Sequence, residues 1–177
     1  MLNRKGAMNM NKIIKCVVIL VLCFALVGCG GKNLYNDSTI INYNFNETAQ
    51  FDDFTITALE LVQMEVFEDD ILKPKKGNVF VSVRFCVENI SDEKVIISSL
   101  GMFKAYADGN IAKMSVVGST EFTSRFNEEA VIDCAINSKD TKMGWYTVEI
   151  PEDWQELNIF VKSSSLSNDY VKFTYAK

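Results

Sequence analysis

The chain has 177 residues, 18 basic and 23 acidic side chains, a formal net charge of −5, five cysteines and no histidine. Without histidine there is no Ser-His or Cys-His nucleophilic pair, and with no CxxC spacing either there is no zinc site of Cys/His type. The acidic balance excludes a nucleic-acid surface, which requires clustered basic residues.

The first fifteen residues carry Arg4, Lys5, Lys12 and Lys15 and no acidic side chain, and an unbroken apolar run follows from Cys16 to Val27. The run is about a dozen residues long, too short for a spanning helix of about 20. It reads as the hydrophobic region of a signal peptide over residues 1–28, and a start at Met8 or Met10 would keep Lys12 and Lys15 as the positive flank. Leu26-Val27-Gly28-Cys29 resembles the lipobox of bacterial lipoproteins, with a branched apolar residue three before the cysteine and a small residue just before it. That resemblance implies cleavage before Cys29 and lipid on its thiol. Two acyl chains there meet the requirement for stable anchoring, at about 0.8 kcal/mol per buried methylene. The expected location is the outer face of the cytoplasmic membrane.

Residues 1–28 hold four of the basic side chains and none of the acidic ones, which leaves 14 against 23 and a charge of −9 over 149 residues. Residues 29–50 are polar and rich in Gly and Asn, and read as a flexible tether spanning roughly 25 Å.

From residue 51 the pattern becomes short β-type runs. Phe54–Val66 is rich in Thr, Ile and Val, with a phase slip near Leu59 that fits a bulge. Asn78–Glu88 alternates Val79, Val81, Val83, Phe85 and Val87 against Ser82, Arg84, Cys86 and Glu88, a strand with one buried face. Val95–Ser98 and Met102–Tyr106 follow. Asp108-Gly109 is a type I′ hairpin signal joining the latter to Ile111–Val117. Gly118–Glu129 reads as a long polar loop, and strands resume at Val131–Ile136, Met143–Ile150, Leu157–Val161 and Tyr170–Tyr175. No helix is expected beyond a single turn at Glu152–Glu156. The class is therefore all-β: an immunoglobulin-like antiparallel sandwich of about seven to nine strands over residues 51–177.

Two segments carry a wider resemblance. Gly77–Asn89 is a strand ending in Asn before a Ser-Asp turn, and Ile136–Trp154 runs through Gly144 and a strand to Pro151. Together they resemble an uncharacterised immunoglobulin-like domain family of Gram-positive surface lipoproteins, itself similar to a small secreted mycobacterial immunogenic protein. The resemblance covers residues 50–177 and implies a fold and a location but no activity. Lys139-Asp140 departs from it where a Gly is expected in the turn.

Alternation places Cys86 outward with Arg84 and Glu88, and Cys134 inward with Ile132 and Ile136, which argues against a disulfide. Trp145 reads as packed between the sheets. Trp154 and Tyr146 are the candidate ligand contacts, because an exposed aromatic can stack on a sugar ring. The acidic pairs Asp52-Asp53, Asp69-Asp70, Asp92-Glu93 and Glu128-Glu129 offer hard oxygen ligands for calcium but lack EF-hand spacing, so they read as solvated loops with no metal or cofactor. The expected function is a non-catalytic, membrane-anchored module. It presents one sheet face or the end loops, especially Asp69–Asn78 and Gly118–Glu129, to a protein partner, with recognition of a small molecule or wall glycan as the alternative. A hydrolase built on paired carboxylates is the remaining option.

Overall fold

The computed structural model describes residues 40–65, 73–126 and 132–177, with residues 123–126 described by their backbone alone. Cys29, the lipobox residues Leu26, Val27 and Gly28, Asp69-Asp70 and Glu128-Glu129 lie outside the described residues. In chain order the elements are β1 (Ile41–Asn44), β2 (Thr48–Gln50), β3 (Phe54–Gln63), β4 (Asn78–Asn89), β5 (Val95–Ile97), α1 (Ser99–Met102), β6 (Phe103–Ala107), β7 (Asn110–Met114), α2 (Val116–Phe126), β8 (Cys134–Ile136), β9 (Thr141–Pro151), β10 (Glu156–Lys162) and β11 (Tyr170–Ala176).

Nine strands run in the order β1-β11-β10-β6-β7-β9-β4-β3-β2, and β5 pairs with β8 in a separate ribbon. The long order folds into a sandwich because β7 changes partner along its length. Its first half pairs with β6, Ala112 opposite Ala105, and its second half with β9, Met114 opposite Val148. The two halves of the sheet face each other across one core. Val83, Phe85 and Val87 of β4 meet Phe103, Ile159 and Phe173 of the opposing half, and Phe85 stacks edge-on against both Phe103 and Phe173 at 5.4 and 5.8 Å.

The alternation expected in β4 is present, and the register shift between Ala58 and Glu60 is the bulge expected in β3. Asp108 and Gly109 both hold positive φ (48° and 77°), as a type I′ turn demands. Lys139 stands at φ 63° where a Gly was expected. Its ammonium donates to the Ile90 carbonyl at 2.7 Å and pairs with Asp92 at 3.1 Å, which ties the turn to the one after β4.

Four expectations change. Residues 41–50, read as the end of the tether, form β1 and β2, so the sheet begins before residue 51. Ile41, Tyr43 and Phe45 alternate with Asn42, Asn44 and Asn46, and the Asn content hides a period of two. Tyr43 packs on Phe173 at 5.7 Å and Phe45 on Tyr175 at 5.3 Å. Second, β1 pairs with β11 in parallel, an exception to the antiparallel class. The chain kinks at Asn46 (φ 68°) and passes to the opposite half as β2. Third, the expected loop at Gly118–Glu129 is helical as far as Phe126. Fourth, Trp145 is buried, but beneath α2 and not between the sheets: it joins Met64, Phe80 and Phe122 in a second, smaller core, 4.3 Å from Phe122. The same helix buries Ser82, expected to face water, and Ser82 and Thr147 share a hydrogen bond at 2.8 Å.

Candidate ligand cleft

Trp154 is fully buried. Its indole N–H donates to Gln63 Oε1 at 3.1 Å, Tyr175 lies 5.9 Å away, and the Lys177 ammonium sits over its ring at 4.3 Å. The corner turn at Pro151, closed by the Trp154 amide on the Pro151 carbonyl, drives the ring inward and not out to solvent. Trp154 therefore has no free face for a sugar, and its expected role as a ligand contact is corrected to that of a core anchor.

Tyr146 is also buried, at 3% exposure, because even-numbered residues of β9 face the main core. It nevertheless lines a cleft. β6 and β7 pair only from Ala105 to Ala107, so where β7 turns toward β9 the start of β6 is left without that neighbour. The gap is a cleft of about 400 Å³, with Phe103, Ala105, Ala112, Met114 and Tyr146 lining it and Leu100 and Ile111 at its edge. Two small residues opposite each other, Ala105 and Ala112, make the room.

Among the described residues no group hydrogen-bonds the Tyr146 hydroxyl, and no fully enclosed side-chain polar atom lacks a partner, so the hydroxyl reaches the cleft's solvent. Burial pushes its pKa above the ordinary 10.0 and keeps it a neutral donor at physiological pH. At the cleft's end Asp133 fixes α1: it accepts from the Ser99 amide at 2.7 Å and from the Ser99 hydroxyl, which also lies 3.0 Å from Met114 Sδ. The charged residues of the lining are Lys104 and Lys113; the Lys104 ammonium lies over the Tyr170 ring at 5.5 Å.

Leu100 is 80% and Ile111 73% exposed beside the opening. Leu166, 95% exposed, follows Ser165, which lies against Gly101. Sequence reasoning named Tyr146 alone of the cleft. The facing alanines and the exposed Ile111 in a strand were the available signals.

Cys86 and Cys134 are both half-buried, and no disulfide joins them. Asp92 is engaged by Lys139, and among the described residues no three acidic or thiol groups converge on one point.

A family profile described as a domain of unknown function, DUF4352, matches residues 43–171. No curated protein matches the chain. Solved structures similar in fold include a Bacillus subtilis protein classed as a lipoprotein (YcdA; 14% identity, TM-score 0.53), of which this chain spans 38% against 73% of itself. A Staphylococcus aureus protein also classed as a lipoprotein has 13% identity and a TM-score of 0.53, covering 76% of this chain and 90% of that one. The secreted protein MPT63 of Mycobacterium tuberculosis has 8% identity and a TM-score of 0.50, covering 78% and 98%.

Proposed function

Because the chain belongs to the DUF4352 family, we propose that it is a lipid-anchored surface protein whose β-sandwich is a non-catalytic binding module at the cell envelope. The Cys29 lipobox and the lipoprotein designation of two fold neighbours support the anchor. The absence of histidine from the sequence supports a non-catalytic domain. The partner is a protein, and the observation that carries this reading is the exposed apolar pair Leu100 and Ile111 beside one opening, with exposed Leu166 following the Ser165 that lies against Gly101. Neighbouring exposed apolar side chains mark interaction surfaces.

Two measurements test it. Cells fed an alkyne palmitate analogue should label the protein, and Cys29→Ser should abolish the label; a labelled variant would remove the anchor from the reading. In-cell photocrosslinking from position 100 or 166 should then recover one reproducible protein, absent when the crosslinker stands at Asp92. Equal recovery from all three positions would remove the surface.

Small-molecule recognition is a second reading, favoured by the cleft and its unpaired phenol. Wall-glycan stacking on Trp154 has no support, since that ring is covered.

A further inference from the structure

The cleft between β6 and β7 has a chemistry narrow enough to name its occupant. A volume of about 400 Å³ falls within the range of small-ligand sites, roughly 300–1,000 Å³, which are mostly apolar with a few placed polar groups. Its lining follows that pattern. Phe103, Ala105, Ala112 and Met114 offer apolar surface, while the Tyr146 hydroxyl is a hydrogen-bond group held at depth without a partner among the described residues. Water reaches that hydroxyl in the cleft, so a ligand that displaces the water must accept the proton in its place.

The charge of the lining is opposite to that of the chain. The sequence after residue 28 carries 23 acidic against 14 basic side chains, yet the charged side chains that line the cleft are two lysines. The neighbouring carboxylates are already engaged: Asp133 at the cleft's end accepts from Ser99, and Glu149, opposite Lys113 in register, accepts from the Lys75 amide and the Asn78 side chain. A cationic ligand would find no carboxylate in the lining and only hydrogen-bonded ones beside it, and a neutral hydrocarbon would displace water from the phenol without replacing its hydrogen bond. An apolar body with one anionic, hydrogen-bond-accepting head meets both conditions.

We propose that this cleft binds a small apolar carboxylate, its body among Phe103, Ala105, Ala112 and Met114 and its head accepting from Tyr146, with Lys113 supplying positive charge at the wall. This rests on reading the domain as a binding module and gives that module a ligand distinct from its protein partner.

The probe is decanoate carrying a photoreactive diazirine, added to membranes bearing the full-length protein. Irradiation should place adducts within 103–106 or 111–114, and excess decanoate should compete while excess decylamine should not. Tyr146→Phe removes a hydroxyl that has no protein partner, so the variant should keep the wild-type melting temperature. It should weaken labelling roughly tenfold, as expected for losing a hydrogen bond to a charged group. Adducts scattered over the surface, equal competition by decylamine, or undiminished labelling of Tyr146→Phe would each overturn the proposal. Partner crosslinking from position 100 is measured separately, so loss of the ligand site and loss of the binding module give different results.

Discussion

Tyr146 holds a phenol in apolar surroundings, and this ties stability to alkaline pH. The unfolded chain releases that proton near the ordinary 10.0, whereas the folded chain keeps it to higher pH. Above about pH 10 the folded state therefore binds more protons than the unfolded one, and stability falls as pH rises; below that value the contribution is fully present. Urea midpoints measured from about pH 9 to 11 should drop in the wild type and drop less in Tyr146→Phe. Parallel declines in the two proteins would show that the phenol is not the source. The alternation of β9 made the inward direction of Tyr146 legible, since it shares phase with Val148 and Ile150. The sequence did not tell that the wall opposite it would open. Trp154 was misplaced for a related reason: a turn after Pro151 can send a ring either way, and the choice is made by Gln63, Tyr175 and Lys177, all distant along the chain.

At the scale of elements, the strands were legible because a period of two survives wherever one face is buried. Helix α2 was not. Its inward residues Ser115, Gly118, Ser119 and Phe122 have helical spacing, but only Phe122 is strongly apolar, so hydropathy is silent. The signal present was Ser115, whose hydroxyl accepts from the Gly118 amide at 2.9 Å and caps the helix. Gly118 itself is dictated by close approach: a Cβ there would stand 2.8 Å from both Phe80 and Thr147, which are buried and cannot retreat. Gly118→Ala gains about 1 kcal/mol of helix propensity yet should destabilise the domain by up to about 2 kcal/mol net, since overpacking costs about 1–3. Denaturant unfolding checks the sign, and a stabilised variant would mean the helix lifts freely from the sheet. Asn89 plays the corresponding part for the β5–β8 ribbon. Its amide donates to the carbonyls of Glu93 and Ile136 at 2.7 and 3.0 Å, and its carbonyl accepts from the Ser91 amide and hydroxyl at 2.9 and 2.8 Å. Asn89→Ala should cost about 2–3 kcal/mol by leaving buried groups unpaired. Hydrogen exchange of the ribbon amides should accelerate with it, and unchanged exchange would contradict this account.

For the molecule as a whole, the boundary at which the sandwich begins has a measurable weight. A chain starting at residue 51 loses β1 and β2, with them the contacts of Tyr43 and Phe45, and uncovers the edges of β11 and β3. Compared with one starting at residue 40, it should be less stable by at least about 1–3 kcal/mol from the two aromatic contacts alone, and should aggregate more readily through the bared strands. Equal melting temperatures and equal solubility would mean the first two strands are ornaments of the fold. Seen as a load path, the first strand has a further role. In the parallel register from Ile41 opposite Val171 to Asn44 opposite Thr174, the start of β1 and the end of β11 lie at opposite ends of one ladder. Tension between the two ends of the domain then runs lengthwise along that ladder and loads its hydrogen bonds together. An antiparallel pair would instead bring both ends to the same side and unzip bond by bond. The geometry is that of a lap joint under shear, so the domain should resist stretching between its termini far better than peeling at β1.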